Sequence, residues 1–396
     1  MTFVALIGVV SLFADMTYEA GRSINGPYLA ILGAGSLAVG IIGGLGELLG
    51  YLIRPLSGNS ADRTGKYWTI ILAGYVINLF AVPALALAGN WPAAAALMIA
   101  ERIGKGIRNP PRDVMLSAAG SVAGQGWVFG FHEAMDQIGA TLGPLIVALV
   151  LYLHGTYRHA YALLVIPAAI AVAVVFAGRF VYPHPERFEN LPPPSASNAS
   201  SRDQEGAADT HFPRLYWIYV TGVMFVAAGF ADYPLIAYHF HQAHVVSADL
   251  VPVLYAIAMA TDAAAALVFG ALFDKIGSKT MVIGVALSLF FAPLVFGFAG
   301  GTAGFVAAFV GMALWGIGMG AHESVMSAIV ARIIPFRSRG RAYGIFNAAY
   351  GGAWFAGSAV LGYLYGVSVE ALIIFSMLAQ AIALPFLIIA SNRIRQ

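Results

Sequence analysis

Gly58-Asn59-Ser60-Ala61-Asp62-Arg63-Thr64-Gly65-Lys66 is a short polar stretch between two long apolar ones, residues 36–57 before it and 67–88 after it. A hydrocarbon layer about 30 Å thick is crossed by roughly twenty apolar residues of helix. Both flanks are that long, and the polar stretch leaves room only for a tight turn, so two membrane helices double back here. A weaker copy, Gly270-Ala271-Leu272-Phe273-Asp274-Lys275-Ile276-Gly277, closes the apolar stretch 249–272 and precedes 279–299. Working outward from both copies gives spans near 2–31, 36–57, 67–88, 92–116, 127–153 and 160–181, then 214–240, 249–272, 279–299, 303–331, 341–365 and 368–391. The expectation is an all-α membrane protein of twelve transmembrane helices. Composition agrees: 60% of the 396 residues are hydrophobic and 10% charged, whereas a soluble domain carries about 25% charged residues. The mean hydropathy is +0.79. With no cysteine, disulfides and thiol chemistry are excluded. The first apolar stretch is interrupted by Asp15, Glu19 and Arg22, and so reads as a first membrane helix, not a signal peptide.

Positive charge sets the expected topology. Arg63 and Lys66 lie between spans two and three, and Arg179, Arg187, Arg202 and Arg214 flank the central polar segment. Lys275 and Lys279 follow span eight, Arg337, Arg339 and Arg341 precede span eleven, and Arg393 and Arg395 end the chain. Arg158 alone falls in an opposite loop. Both termini are therefore expected on the cytoplasmic side of the inner membrane. Residues 183–213, with Pro192-Pro193-Pro194 and the polar run Ser195–Asp209, read as a cytoplasmic linker between an N-terminal six-helix bundle, 1–182, and a C-terminal one, 214–396. The halves repeat one another. Gly104 and Gly106 match Gly318 and Gly320 at an offset of 214, which also carries Gly126, Gly130 and Gly143 onto Gly340, Gly344 and Gly357. Phe13-Ala14-Asp15 pairs with Phe230-Ala231-Asp232. Two bundles related by an axis along the membrane normal form a recurring transporter plan, with substrate between them.

The stretch Gly58–Lys66 resembles the signature loop of the major facilitator superfamily, and Gly270–Gly277 its degenerate second copy. The resemblance implies a gating latch in which Asp62 and Arg63, turned by Gly58, engage Asp113 at the end of the fourth helix. Asp274 is the second-half counterpart, where Ser327 replaces the matching acid. Arg102 with Gly106 resembles the family's fourth-helix arginine motif, which is tied to proton coupling. Gly139-Ala140-Thr141-Leu142-Gly143-Pro144 resembles the fifth-helix motif of its antiporters, although Leu145, Ile146 and Val147 stand where a glycine pair is usual. The family implies a secondary transporter, and the antiporter motif favours efflux over uptake.

Charges inside a bilayer are costly unless they face a bundle interior, so each is a functional candidate. Asp15, Glu19 and Arg22 share one face of the first helix, and Glu101, Lys105, Arg108 and Arg112 one face of the fourth. In the second half stand Asp232, Asp262, and His322 beside Glu323. The expected substrate and proton-coupling set is Asp15, Glu19, Arg22, Glu101, Arg102, Arg108, Asp232, His322 and Glu323. Opposite-sign stripes on helices one and four could instead neutralise one another, and Glu47, Arg54, Glu133 and Asp136 are read as structural pairs of that kind. If the acids cover only part of the fourth-helix stripe, Arg108 is left to meet an anionic group of the substrate. His239, His241 and His244 read as an interfacial loop, Trp68, Trp91 and Trp217 as interfacial aromatics, and Met115, Met319 and Met326 as packing. No cofactor, metal or nucleic acid is expected, and no catalytic set. The expected partners are a small-molecule substrate, protons and the lipid bilayer, around a monomer. The alternatives are a receptor or enzyme on the same scaffold, or a metal or anion transporter.

Overall fold

A computed structural model describes residues 2–183, 212–298, 300–335 and 338–394. The interior of the expected linker, with Arg187, Arg202 and Pro192–Pro194, lies outside the described residues, as do Arg337 and Arg395 of the topology argument. Among the described residues the chain forms fifteen α-helices and no strand. The first half holds α1 (Thr2–Ile31), α2 (Ser36–Thr64), α3 (Tyr67–Ala84), α4 (Trp91–Ala123), α5 (Gln125–Tyr152), α6 (Tyr157–Leu163) and α7 (Val165–Val181). The second holds α8 (Arg214–Gly229), α9 (Tyr233–Gln242), α10 (Leu250–Ile276), α11 (Lys279–Ser288), α12 (Phe291–Phe296), α13 (Thr302–Ile333), α14 (Arg339–Val367) and α15 (Val369–Ile394).

These make twelve spans, because α6 with α7, α8 with α9, and α11 with α12 are halves of interrupted ones. Each restart has a proline in its first turn, Pro167, Pro234 or Pro293, where the missing N–H costs nothing. At the seventh span the restart is also capped: the Asp232 carboxylate accepts from the Tyr233 backbone N–H at 2.9 Å. Ten spans are long and apolar enough to cross a bilayer by composition alone. The other two are α4, which carries the charged stripe, and α14, diluted by glycine and tyrosine.

Both copies of the polar motif end their helices alike. Gly65 has φ 64° and donates its N–H to Ala61 O, and Gly277 has φ 66° and donates to Phe273 O. A side chain would be strained in either place. The glycine repeat has the same structural meaning in each half. A Cβ on Gly104 would meet Asn78 of α3, and one on Gly318 would meet Ser288 of α11, the equivalent ninth span. Gly106 lies against Gly50 of α2, and Gly320 against Asp262 of α10. Gly143 approaches Met16 O of α1, and Gly357 approaches Ala228 O of α8; a Cβ would sit 2.3 and 2.2 Å from those oxygens. Small residues thus set the helix spacing. Gly357→Val is expected to force α14 off α8, with a loss of at least about 1–3 kcal/mol, read as a fall in monodisperse protein on size exclusion.

Two six-helix bundles result, and they meet through α1 with α9, α2 with α14 and α5 with α10. The meeting is tight at the end that carries the turn between α1 and α2. There Gly26 abuts Pro234, Gly40 abuts Ser358, and Gly362 abuts Ser36, all at distances that exclude a Cβ. Toward the other end, where the Gly65 and Gly277 turns lie, a cavity of about 730 Å³ separates the bundles. Leu149, Phe176, Phe180, Ile374 and Leu378 are exposed on the outside, as lipid contact requires.

Candidate functional site

The closed end of the cavity is built around Arg22 of α1. Its Nη2 donates to Asp232 Oδ1 at 2.8 Å and lies 3.5 Å from Glu47 Oε1, while Nη1 lies 3.9 Å from Glu19. Asp232 belongs to the second bundle, held in the gap between α8 and α9. Its cap geometry is therefore also what aims it at Arg22. A second tie crosses beside the first: the Tyr255 hydroxyl of α10 donates to Glu19 Oε2 in a short hydrogen bond. Glu47 passes the network on to Arg102 Nη1 at 3.3 Å, and Arg102 Nε reaches Glu101 at 3.2 Å. Glu101 is fixed from behind by Asn78 Nδ2 at 2.8 Å.

Along α4 toward the open end, each remaining cation has its own partner. Lys105 Nζ donates to the Tyr18 hydroxyl at 2.8 Å and stands 4.0 Å from Glu19. Arg108 is completely buried, stacked 4.5 Å from the Tyr75 ring centroid, with Nη2 3.9 Å from Asp15. Its Nε and Nη1 have no hydrogen-bond partner among the described residues. Arg112 bonds Asp113, its chain neighbour, through both Nε and Nη2. The stripe on α4 is therefore met by α1, α2, α3 and its own last acid.

The opposite wall differs. α5, α10 and α13 contribute Glu133, Asp136, Asp262 and Glu323 to the cavity and no cation. Of these, Asp136 lies 3.3 Å from Nδ1 of His132, whose Nε2 is bonded to the Ser11 hydroxyl at 2.7 Å, and Glu133 accepts from Gln137 at 3.1 Å. Glu133, Asp262 and Glu323 are in no ion pair among the described residues, and neither is Arg54, which stacks on Tyr51. Glu133 and Arg54 thus do not form the salt bridges expected of them: Glu133 accepts from Gln137, Arg54 stacks on Tyr51, and Glu47, on the same face of α2 as Arg54, is taken by Arg22 and Arg102. In all, seven carboxylates and five cationic side chains line the cavity. The surplus is therefore acidic, and the one lining arginine outside any ion pair among the described residues, Arg54, stacks on Tyr51.

The expected site residues fall into three places. Arg22, Glu19, Asp232, Glu101 and Arg102 meet at the closed end, and Asp15 and Arg108 line the middle. The neighbours His322 and Glu323 part company: Glu323 faces the cavity, while His322 is buried edge-on to Phe230, 4.9 Å between ring centroids, and neither ring nitrogen has a hydrogen-bond partner among the described residues. The latch residues do not engage one another in this conformation. Asp62 accepts from the Tyr67 hydroxyl at 2.9 Å, Asp113 is taken by Arg112, and Arg63 and Asp274 are exposed. Gly58 packs near Pro110 of α4. Trp91 and Trp217 are half-exposed at helix ends, but Trp68 is buried and donates to Tyr182 O at 2.8 Å, so it is a packing residue. His239 also turns inward, 3.1 Å from the Tyr365 hydroxyl. Tyr255, Tyr75 and Asn78 carry no signal in the sequence that would have selected them. Asp262 does, as the sole acid before the motif on an otherwise apolar span.

The family model described as Major Facilitator Superfamily matches residues 6–358. A protein of Mycobacterium tuberculosis is 37% identical over 96% of this chain and 91% of its own length. An MFS-type transporter of Methanocaldococcus jannaschii is 27% identical over 93% and 89%. Among solved structures, the nucleoside transporter NupG superposes with a TM-score of 0.72 at 14% identity, over 100% of this chain and 98% of its own. A bacterial homologue of the iron transporter ferroportin, in an inward-facing state, gives 0.70 at 14% identity over 99% of both. At such identities these structures share the fold alone. With twelve spans, a central charged cavity and a match along most of its length, this is a membrane transporter and not an enzyme, and the chain belongs to the major facilitator superfamily.

Proposed function

We propose that this secondary transporter moves a small solute out of the cell by alternating access, coupled to protons. The observation that carries the proposal is the Arg22–Asp232 bridge, 2.8 Å long, which ties the two bundles at one end of a cavity that separates them at the other. An ion pair across such a seam is a gate: it holds one state and must break in the other. The tie of Glu19 to Tyr255 acts in parallel. The surplus of carboxylates over cations supports proton coupling, since buried excess charge calls for a proton or a cationic ligand. Asp15, Glu19 and Glu101 are the proposed carriers on the N-terminal side. Export is favoured by the resemblance of Gly139–Pro144 to the antiporter motif. The positive residues at the Gly65 and Gly277 turns support a cytoplasmic position for that end, with the protein in an inner membrane and this conformation inward-facing. Asp62, Arg63 and Asp113 are then the latch that forms when this end closes.

The natural absence of cysteine gives a clean background for a test. Ile42→Cys places a thiol in the closed end and Ala266→Cys one in the open cavity. In proteoliposomes, an imposed proton gradient is expected to change their labelling in opposite directions. Asp62→Asn is expected to favour Ala266→Cys labelling, through a shift of about 1.4 kcal/mol per tenfold change in population. Labelling of both sites that ignores the gradient, with Asp62→Asn equal to its parent, would sink alternating access for this chain.

A further inference from the structure

The cavity is electrically lopsided. Its α1–α4 wall holds both signs in contact, and its α5–α10–α13 wall holds only acids. Glu133 and Glu323 are exposed to the cavity from α5 and α13. Between them in the packing order stands α10, with Asp262. An acidic cluster alone could be a solvated face. Asp262 is different: its residue is 3% exposed, it lines the cavity, and its Oδ1 has no hydrogen-bond partner among the described residues. A buried carboxylate oxygen without a donor costs several kcal/mol unless something supplies one. No side chain among the described residues does. The cations across the cavity are already engaged by Asp15, Glu19, Glu47, Glu101 and Asp113, save Arg54, which stacks on Tyr51.

The apolar surroundings narrow the ligand further. Met259 and Met319 line the cavity near Asp262, with Ala266 and Leu267 toward the open end. Thioethers and aliphatic groups adapt to varied apolar shapes. The cavity volume of about 730 Å³ lies in the range that encloses a drug-sized molecule. A bare metal ion would find neither histidine nor a convergent acid set: among the described residues no group of three such ligands is close enough to hold one.

We infer that the transported solute is an organic cation with apolar substituents, its charge held by Asp262 with Glu323 and Glu133 and its apolar part against Met259 and Met319. The inference rests on the transport function proposed above and names its substrate class. It assigns the charge of the substrate to the C-terminal bundle and to α5, away from the arginine stripe.

The test uses two probes of one shape and opposite sign, tetraphenylphosphonium and tetraphenylborate. Equilibrium dialysis against the purified full chain in nanodiscs, with empty nanodiscs subtracted, gives their affinities. The phosphonium is expected to bind saturably and the borate not. Asp262→Asn and Glu323→Gln are each expected to weaken the phosphonium at least about tenfold, equivalent to about 1.4 kcal/mol. Asp262→Glu, which keeps the charge, should lose less. The wild-type comparison needs no variant, so poor folding of one cannot shelter the inference. Absence of saturable phosphonium binding, or borate binding as tight, would overturn it. So would unchanged affinity in Asp262→Asn, Glu323→Gln and Glu133→Gln together. Gradient-driven labelling at Ile42→Cys and Ala266→Cys is read without any ligand. If it persists while phosphonium fails, only the substrate class falls; if it is absent, the transport function falls.

Discussion

Exchanging Arg22 for glutamine is expected to cost about 3–5 kcal/mol of stability and to abolish transport, because it strips the counter-ion from a buried set of acids. Arg22 lies within 4 Å of Glu19, Glu47 and Asp232, and all but Glu47 are nearly sealed from solvent. Glutamine can donate one pair of hydrogen bonds but carries no charge. Three carboxylates would then share Arg102 and Lys105. The double variant Arg22→Gln with Asp232→Asn removes one charge of each sign and should recover part of the loss. A coupling of about 0.5–3 kcal/mol between the two sites is the expected signature of direct contact. Thermal unfolding of the four proteins in one detergent measures it. Additive effects would mean that the bridge does not tie the bundles.

The second large effect is expected at Arg108, and it is structural before it is functional. The side chain is completely buried, stacks on Tyr75, and faces Asp15 at a distance too long for a strong bond. Arg108→Gln leaves Asp15 without its nearest arginine and the Tyr75 ring without its cation, so yield and melting temperature should fall together. Arg108→Lys keeps the charge but loses the planar stack, worth about 0.5–2 kcal/mol, and should be intermediate. If Arg108→Gln folds as well as its parent and tetraphenylborate binding is what disappears, then Arg108 is an anion site, and the cation assignment is wrong.

The two effects bear on how the charges divide their work. Charges at the closed end join the bundles, those of α4 brace the N-terminal bundle, and those left without partners face the cavity. Sequence order does not separate these roles. Arg22 and Glu19 are three residues apart and Glu19 and Asp15 four, yet they serve the gate, the seam with α10 and the α4 brace respectively.

The sequence alone determined the membrane class, the spans and the internal repeat, because each depends on local composition or spacing. Apolar length fixes a span, and the Gly65 and Gly277 turns need glycine for their backbone angle, so both copies were visible as motifs. The glycine matches at one offset likewise survived into packing, since a close helix contact tolerates little else. The interrupted seventh span was visible only in hindsight, from Asp232 capping a helix with Pro234 in its first turn. The tertiary structure decided which charges meet. Helix periodicity tells which residues share a face, but not which face of another helix lies opposite, 200 residues away along the chain. Arg22 and Asp232 are separated by 210 residues, and Glu19 and Tyr255 by 236. The same holds for Asp262 and Arg108. One looked minor and the other available to an anion, until packing placed Arg108 against Tyr75 and left Asp262 Oδ1 without a donor among the described residues. Charge balance in a membrane is settled by neighbours across helices, and neighbours across helices are what folding alone supplies.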